Sequence, residues 1–194
     1  MSVLANARIL TIDGQMTEIE RGWIAFENDK ITAIGAGNAP IDRGPVEDMQ
    51  GDLIMPGMVN PHCHMPMALF RGLAEDVDNR LFRYILPLER ALVTADVVEV
   101  GARLAALELI RGGVTTVADM YYFEDRIGAV LDQAGLRGIV GQTLANFAAP
   151  DHSTFDEGFE RLNALTDMFA DHPRIDASAA PHAPYSTGFE IMER

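Results

Sequence analysis

A single cysteine, Cys63, stands in the 194 residues. One thiol excludes an internal disulfide and fits a reducing compartment. Basic residues are also few. Lys30 is the only lysine, and 15 Lys and Arg against 29 Asp and Glu leave a formal net charge of -14. That balance argues against nucleic acid and anionic membrane as partners, and solubility alone accounts for it. No apolar run approaches the ~20 residues of a membrane span. The start, Met1 to Arg8, lacks the basic segment and long apolar run of a signal peptide. The expectation from these absences is a cytoplasmic protein. What is present is a globular composition, 48% hydrophobic and 23% charged, with ample material for a core.

One stretch organises the rest: Leu53-Ile54-Met55-Pro56-Gly57-Met58-Val59-Asn60-Pro61-His62-Cys63-His64. It is a short apolar run, a Pro-Gly break and a second run that ends in two histidines. If Met58 to His64 is a strand, residues two apart point to the same side. His62 and His64 then face one way and Cys63 the other. Two imidazoles side by side on a strand are half of a metal site. Neutral imidazole suits zinc, iron and nickel, so the spacing does not choose the metal.

Residues 1 to about 55 read as short strands: Val3 to Ile12, Gly22 to Glu27 and Lys30 to Ile34, with turns at Asp13-Gly14 and Asn28-Asp29. The stretch 38–51, rich in Pro, Gly and acid, reads as a loop. From residue 56 the rhythm becomes strand, helix, strand, helix, which implies parallel β/α units. The strands are Met58 to His64, Val114 to Tyr121, Arg137 to Leu144 and Ile175 to His182. Residues 71–92 form a long connection with a short helical part near Asn79 to Tyr84. Thr94 can cap a helix from Ala95 to about Arg111, in which Val97, Val100, Leu104, Leu107 and Ile110 are predicted to form the buried stripe. Further helices are predicted over Asp125 to Gln133 and Phe155 to Ala170. Thr187 and Glu190 have capping-box spacing for another. His152 and His172, in loops beside Asp151 and Asp171, read as surface residues. A (β/α)₈ barrel needs ~250 residues, so four units cannot close one, and the expectation is the N-terminal part of a longer protein or half of something that must pair.

The run Met55 to His64 resembles the first barrel strand of the amidohydrolase superfamily. Met67-Ala68-Leu69-Phe70-Arg71-Gly72-Leu73-Ala74-Glu75-Asp76, Gly113 to Tyr121 and Ala180-Pro181-His182-Ala183-Pro184-Tyr185 resemble its methylthioadenosine/S-adenosylhomocysteine deaminase branch, which includes triazine hydrolases. The resemblance implies an α/β chain: an N-terminal β-sandwich portion over 1–55, then the first half, four β/α units, of a (β/α)₈ metallo-hydrolase barrel over 56–194. It implies one divalent metal ion, zinc in the first place, with iron or manganese as alternatives. His62 and His64 are then its first two ligands. His182 matches the histidine that contacts the bound heterocycle. Three residues after it stands Tyr185, not the glutamate that accompanies the family's third metal histidine, so His182 goes to substrate. The fourth strand has no lysine, which points away from a carbamylated-lysine binuclear site. Glu89 matches a glutamate that contacts ribose hydroxyls. Gln142 stands at a substrate-binding position where homocysteine-binding relatives carry an arginine. A carboxylate-bearing substrate wants a bidentate guanidinium, so the expected substrate is neutral. The later ligands and the proton-shuttling groups of the family are missing from these residues.

The implied activity is metal-dependent hydrolysis, a deamination, of an aminated purine, pyrimidine or triazine ring or nucleoside by the parent enzyme, with the isolated 194 residues inactive. The expected partners are a small heterocyclic substrate and either a second copy or the missing C-terminal half. The alternative is a non-catalytic half-barrel, a pseudo-enzyme or an assembly module.

Overall fold

The computed structural model describes residues 1–40 and 42–193, with the backbone alone for 190 and 191. The chain divides into two compact units, Met1–Gly57 and Met58–Arg194.

The first unit is one sheet. Strands β1 (Ser2–Leu10), β2 (Glu18–Glu27) and β3 (Lys30–Ala36) form an antiparallel meander, while β4 (Val46–Asp48) and β5 (Leu53–Ile54) lie parallel to β1. The first turn forms where Asp13 was expected to make one. Its carboxylate accepts from the backbone N–H groups of Gln15 and Thr17, both at 3.1 Å. The stretch 38–51, expected as loop, supplies β4. The core is Val3, Trp23 and Ala25. Gly35 on β3 leaves room for the indole, since a Cβ there would stand 2.7 Å from Trp23 Cζ2.

The second unit is a parallel sheet in the order β6-β7-β8-β9. Its strands are β6 (Met58–Cys63), β7 (Val114–Tyr121), β8 (Arg137–Leu144) and β9 (Ile175–Pro181). Each strand pairs with the next in sequence and the order never reverses. That is the order of a barrel arc, where a doubly wound sheet has a switch point. Between β6 and β7 run a 3₁₀ segment (Met65–Phe70), a π-helical turn (Leu81–Ile85), α1 (Leu86–Leu92) and α2 (Ala95–Arg111). Helix α3 (Glu124–Ala134) joins β7 to β8, and α4 (Phe155–Phe169) joins β8 to β9. Short helices α5 (Pro184–Thr187) and α6 (Phe189–Glu193) follow. No helix among the described residues is long and apolar enough to cross a membrane.

Caps set the helix starts. Thr94 Oγ1 accepts from Val97 N–H at 3.3 Å. Thr154 and Glu157 close a capping box on α4, with Glu157 also accepting from Ser153 N–H at 2.6 Å. The Thr187–Glu190 pair rests on a Glu190 side chain outside the described residues. Thr187 is buried at the end of α5, where its hydroxyl accepts from Ala183 N–H.

The buried face of α2 is not the expected one. Val100, Leu104, Leu107 and Ile110 are exposed, and the buried residues are Val98, Gly101, Ala102, Ala105 and Ala106. The small residues win because they allow close approach. A Cβ on Gly101 would stand 2.7 Å from the Pro66 carbonyl oxygen, so the 3₁₀ segment lies almost on the helix backbone. The main core joins Val98 and Ala102 to Val117, Ile127, Leu131, Val140 and Ile175.

Candidate active site

In a parallel arc the C-terminal ends of the strands share one rim, and the functional side chains gather there. His62 is near the end of β6 and His64 follows it as the first residue of the turn into the 3₁₀ segment. Their rings lie 5.0 Å apart between centroids, at 78°. The Nδ1 of His64 bonds the Met120 carbonyl oxygen. A carbonyl only accepts, so Nδ1 carries the proton and the lone pair is on Nε2. An imidazole held this way through its other nitrogen is the usual state of a metal-ligating histidine.

A cavity of about 390 Å³ opens at this rim, within the range of small-molecule sites. His64, Glu89 and His182 reach it from three different elements, among walls that include Met67, Tyr122 and Phe147. His182 Nδ1 lies 3.1 Å from Ser186 Oγ, whose own proton goes to the Ala183 carbonyl at 3.2 Å. Ser186 therefore accepts from Nδ1–H, and Nε2 of His182 is a free base. Burial and the neighbouring His62 hold this imidazole below its ordinary pKa, which keeps it neutral.

Glu89 on α1 is only 5% exposed. Burial pushes its carboxyl up, and the Tyr121 hydroxyl beside it holds back part of that rise. The Tyr121 hydroxyl is buried with no hydrogen-bond partner among the described residues. Both groups are buried polar ends on the cavity wall with capacity to spare for a ligand.

Gln142 is 2% exposed and does not line the cavity. Its amide donates to Asp151 Oδ2 and to the Thr143 carbonyl, each at 3.2 Å. The residue that meets the cavity at this point is Thr143.

His152, expected at the surface, has a fully buried side chain, and its Nδ1–H donates to Asp151 Oδ1 at 2.7 Å. Asp151 also accepts from the Phe123 N–H at 2.9 Å. It thus ties the loop after β8, which brings Phe147, Ala148 and Pro150 to the cavity, to the loop after β7. A His-Asp pair in a polar loop carries no periodic signal. His172 is half-buried, accepting from the backbone N–H groups of Arg174 and Ile175.

Two further buried acids lie beside the rim. Asp119 on β7 pairs in register with Cys63 and accepts from the Met65 N–H at 2.6 Å. Glu124 is fully buried at the start of α3 and accepts from the Tyr121 N–H. The sequence presents Asp119 as a polar contact at the end of its strand and gives no signal for Glu124. A signal existed for the first: Asp119 is in phase with Val117 and Tyr121, so an acid occupies the buried face of its strand. Cys63 Sγ lies 3.2 Å from Asp119, and burial with that carboxylate pushes the thiol up, away from nucleophilic use.

The donor set fits the first part of a metal shell. Two imidazoles are present, one with its tautomer set for ligation. Among the described residues no group of three or more His, Cys, Asp or Glu could hold a metal ion.

Residues 53–194 match the Amidohydrolase family. The chain is 37% identical to the 5-methylthioadenosine/S-adenosylhomocysteine deaminase of Nitratidesulfovibrio vulgaris (strain DP4), over 100% of this chain and 45% of that protein. The zinc-bound crystal structure of an adenosine deaminase from Xanthomonas campestris superposes with a TM-score of 0.88 at 34% identity, covering 95% of this chain and 43% of that one. The zinc complex of atrazine chlorohydrolase from Arthrobacter aurescens shares the fold, with a TM-score of 0.87 at 20% identity over 100% of this chain and 49% of that one. The chain spans less than half the length of these relatives.

Proposed function

The chain belongs to the amidohydrolase family, and from that premise we propose that it supplies two metal ligands and one wall of the substrate site of an aminohydrolase. The substrate is an aminated purine, pyrimidine or triazine ring, free or as a nucleoside, and the bond broken is its exocyclic C–N bond. His62 and His64 would hold one divalent ion, zinc first, with iron and manganese as alternatives. Such an ion lowers the pKa of a bound water from 15.7 to about 7, roughly 12 kcal/mol of easier deprotonation.

The chain's own residues bind and orient. His182, neutral and with Nε2 free, accepts a hydrogen bond from the heterocycle or, once protonated, donates one. Glu89 takes the ribose hydroxyls. Two hydroxyl donors replace the water that burial removes from this carboxylate, so ligand binding itself favours its ionised form. Gln142 offers no guanidinium to an amino-acid carboxylate, and its amide is committed to Asp151. A neutral nucleoside is therefore preferred, and kcat/KM for methylthioadenosine should exceed that for S-adenosylhomocysteine. Arg90 also lines the cavity, and it is the group to substitute if the order is reversed.

The observation that carries the reading is the convergence of His64, Glu89 and His182 on one cavity at the strand ends. It includes a cytoplasmic setting and completion of the barrel by further chain or a second copy. A second reading, a non-catalytic half-barrel, starts from the fact that among the described residues no group of three or more His, Cys, Asp or Glu could hold a metal ion. Ammonia release from methylthioadenosine, adenosine, guanine and melamine with zinc separates them. The full reading frame should turn over at least one of these and lose that activity with His62→Ala, while the 194 residues alone should be inactive. An inactive full-length protein would support the second reading.

A further inference from the structure

The environment of Asp119 is unusual for an acid. It is 3% exposed on the buried phase of β7, and none of the ion pairs among the described residues includes it. Its Oδ2 accepts from Cys63 Sγ and from the Met65 N–H, the residues immediately before and after His64. The next carbonyl on the same strand, that of Met120, takes the ring proton of His64. His64 is also where the chain leaves β6 for the 3₁₀ segment, at φ -131° and ψ 77°. Met65 is buried at that bend, so its N–H would be unpaired without the carboxylate.

The other oxygen of Asp119, Oδ1, and Glu124 Oε2 are both buried with no hydrogen-bond partner among the described residues. Burial and the neighbouring Asp119 raise Glu124 well above the ordinary range. Its second oxygen is held by the Tyr121 N–H.

We infer that Asp119 is the positioning residue of His64, setting the backbone on both sides of the imidazole while the adjacent Met120 carbonyl sets its ring. The inference rests on the reading of His62 and His64 as metal ligands. It assigns Asp119 no contact with the metal or the substrate.

The test uses the full-length protein with Co²⁺ as the probe metal, read by visible absorption, and ¹⁵N-imidazole NMR of His64 in the metal-free state. Asp119→Ala should weaken Co²⁺ binding about ten- to a hundredfold, the usual cost of losing an outer partner of a ligand. It should also abolish the single Nδ1–H tautomer of His64. Asp119→Asn, which keeps an oxygen toward Met65, should restore both readouts to near wild type. Val117→Ala on the same strand should lower Tm and leave both unchanged. Wild-type Co²⁺ affinity and an unchanged His64 signal in folded Asp119→Ala would overturn the inference. So would an equal loss in Val117→Ala. If Asp119→Ala does not fold, Asp119→Ser, which shortens the oxygen's reach, is judged by the same two criteria. If the wild type takes up no Co²⁺, the metal reading fails, and the His64 ring signal alone decides the positioning role.

Discussion

Asp151 is a side chain whose loss should cost this fold several kcal/mol. Its Oδ1 accepts from His152 Nδ1 at 2.7 Å, and its Oδ2 from Phe123 N–H at 2.9 Å and Gln142 Nε2 at 3.2 Å. Asp151→Ala removes the acceptor of three donors, of which Gln142 Nε2 keeps the Thr143 carbonyl. Each costs about 1–3 kcal/mol if nothing replaces the acceptor. Relaxation and admitted water reduce the sum, so a loss of about 3–5 kcal/mol is expected, the range for breaking a buried charged network. The pH dependence gives a second handle. Burial pushes the Asp151 carboxyl up, but the bonds from His152, Phe123 and Gln142 outweigh it and hold it below the ordinary value of 3.8. A depressed folded pKa means stability that is fully present above the unfolded pKa and lost as pH falls through the folded one. The gap between wild type and Asp151→Ala should therefore be constant from pH 7 down to about 4 and narrow as the pH falls below the ordinary carboxylate value of 3.8. Urea denaturation across that range measures it. A loss under about 1 kcal/mol, or a gap that widens in acid, would refute this account of the network.

Glu124→Gln should be nearly neutral at pH 4.5, because the amide reproduces the protonated acid that burial and Asp119 favour. A raised folded pKa costs stability as pH rises above the unfolded value, so the variant should gain on wild type toward alkaline pH; a relative loss there would show Glu124 ionised. Gly101→Val should cost about 1–3 kcal/mol by overpacking, since even a Cβ would meet the Pro66 carbonyl oxygen at 2.7 Å. Thermal melts check it, and an unchanged Tm would mean that the 3₁₀ segment moves freely. Glu89→Ala should raise KM for nucleosides about 10- to 100-fold, the worth of hydrogen bonds to a charged group, with the free base unaffected; equal loss on both would remove Glu89 from the ribose.

The parts of this protein that follow from local rules were legible in the chain. Thr94 and Gly112-Gly113 bracket α2, the alternation in β2 marks a strand, and the β/α rhythm from residue 56 gives a parallel sheet. His-x-His at the end of an apolar run marks the rim because strand period and side-chain chemistry are both local. The buried face of α2 was not legible. Two stripes exist on that helix, one of large residues and one of small, and periodicity alone favours the larger hydrophobes. The tertiary structure chose the small stripe because Gly101 and its alanines let the 3₁₀ segment approach the helix backbone. Gln142 shows the same limit. Its position at the end of β8 was readable, but its partner was not, because Asp151 is nine residues away in a loop without a pattern.

The sequence by itself therefore determined the succession of the four β/α units, the Thr94 cap of α2, the parallel arc and the pair of histidines at its rim. Each of these depends on residues within a few positions of one another. Only the tertiary structure decided which polar groups are buried and what they hold: Asp119 against the flanks of His64, Glu124 against Asp119, and Asp151 between two loops. The physical reason is that a buried polar group persists only with its partner. Here the partner of Met65 is 54 residues away and that of Phe123 is 28, set by strand register and loop packing.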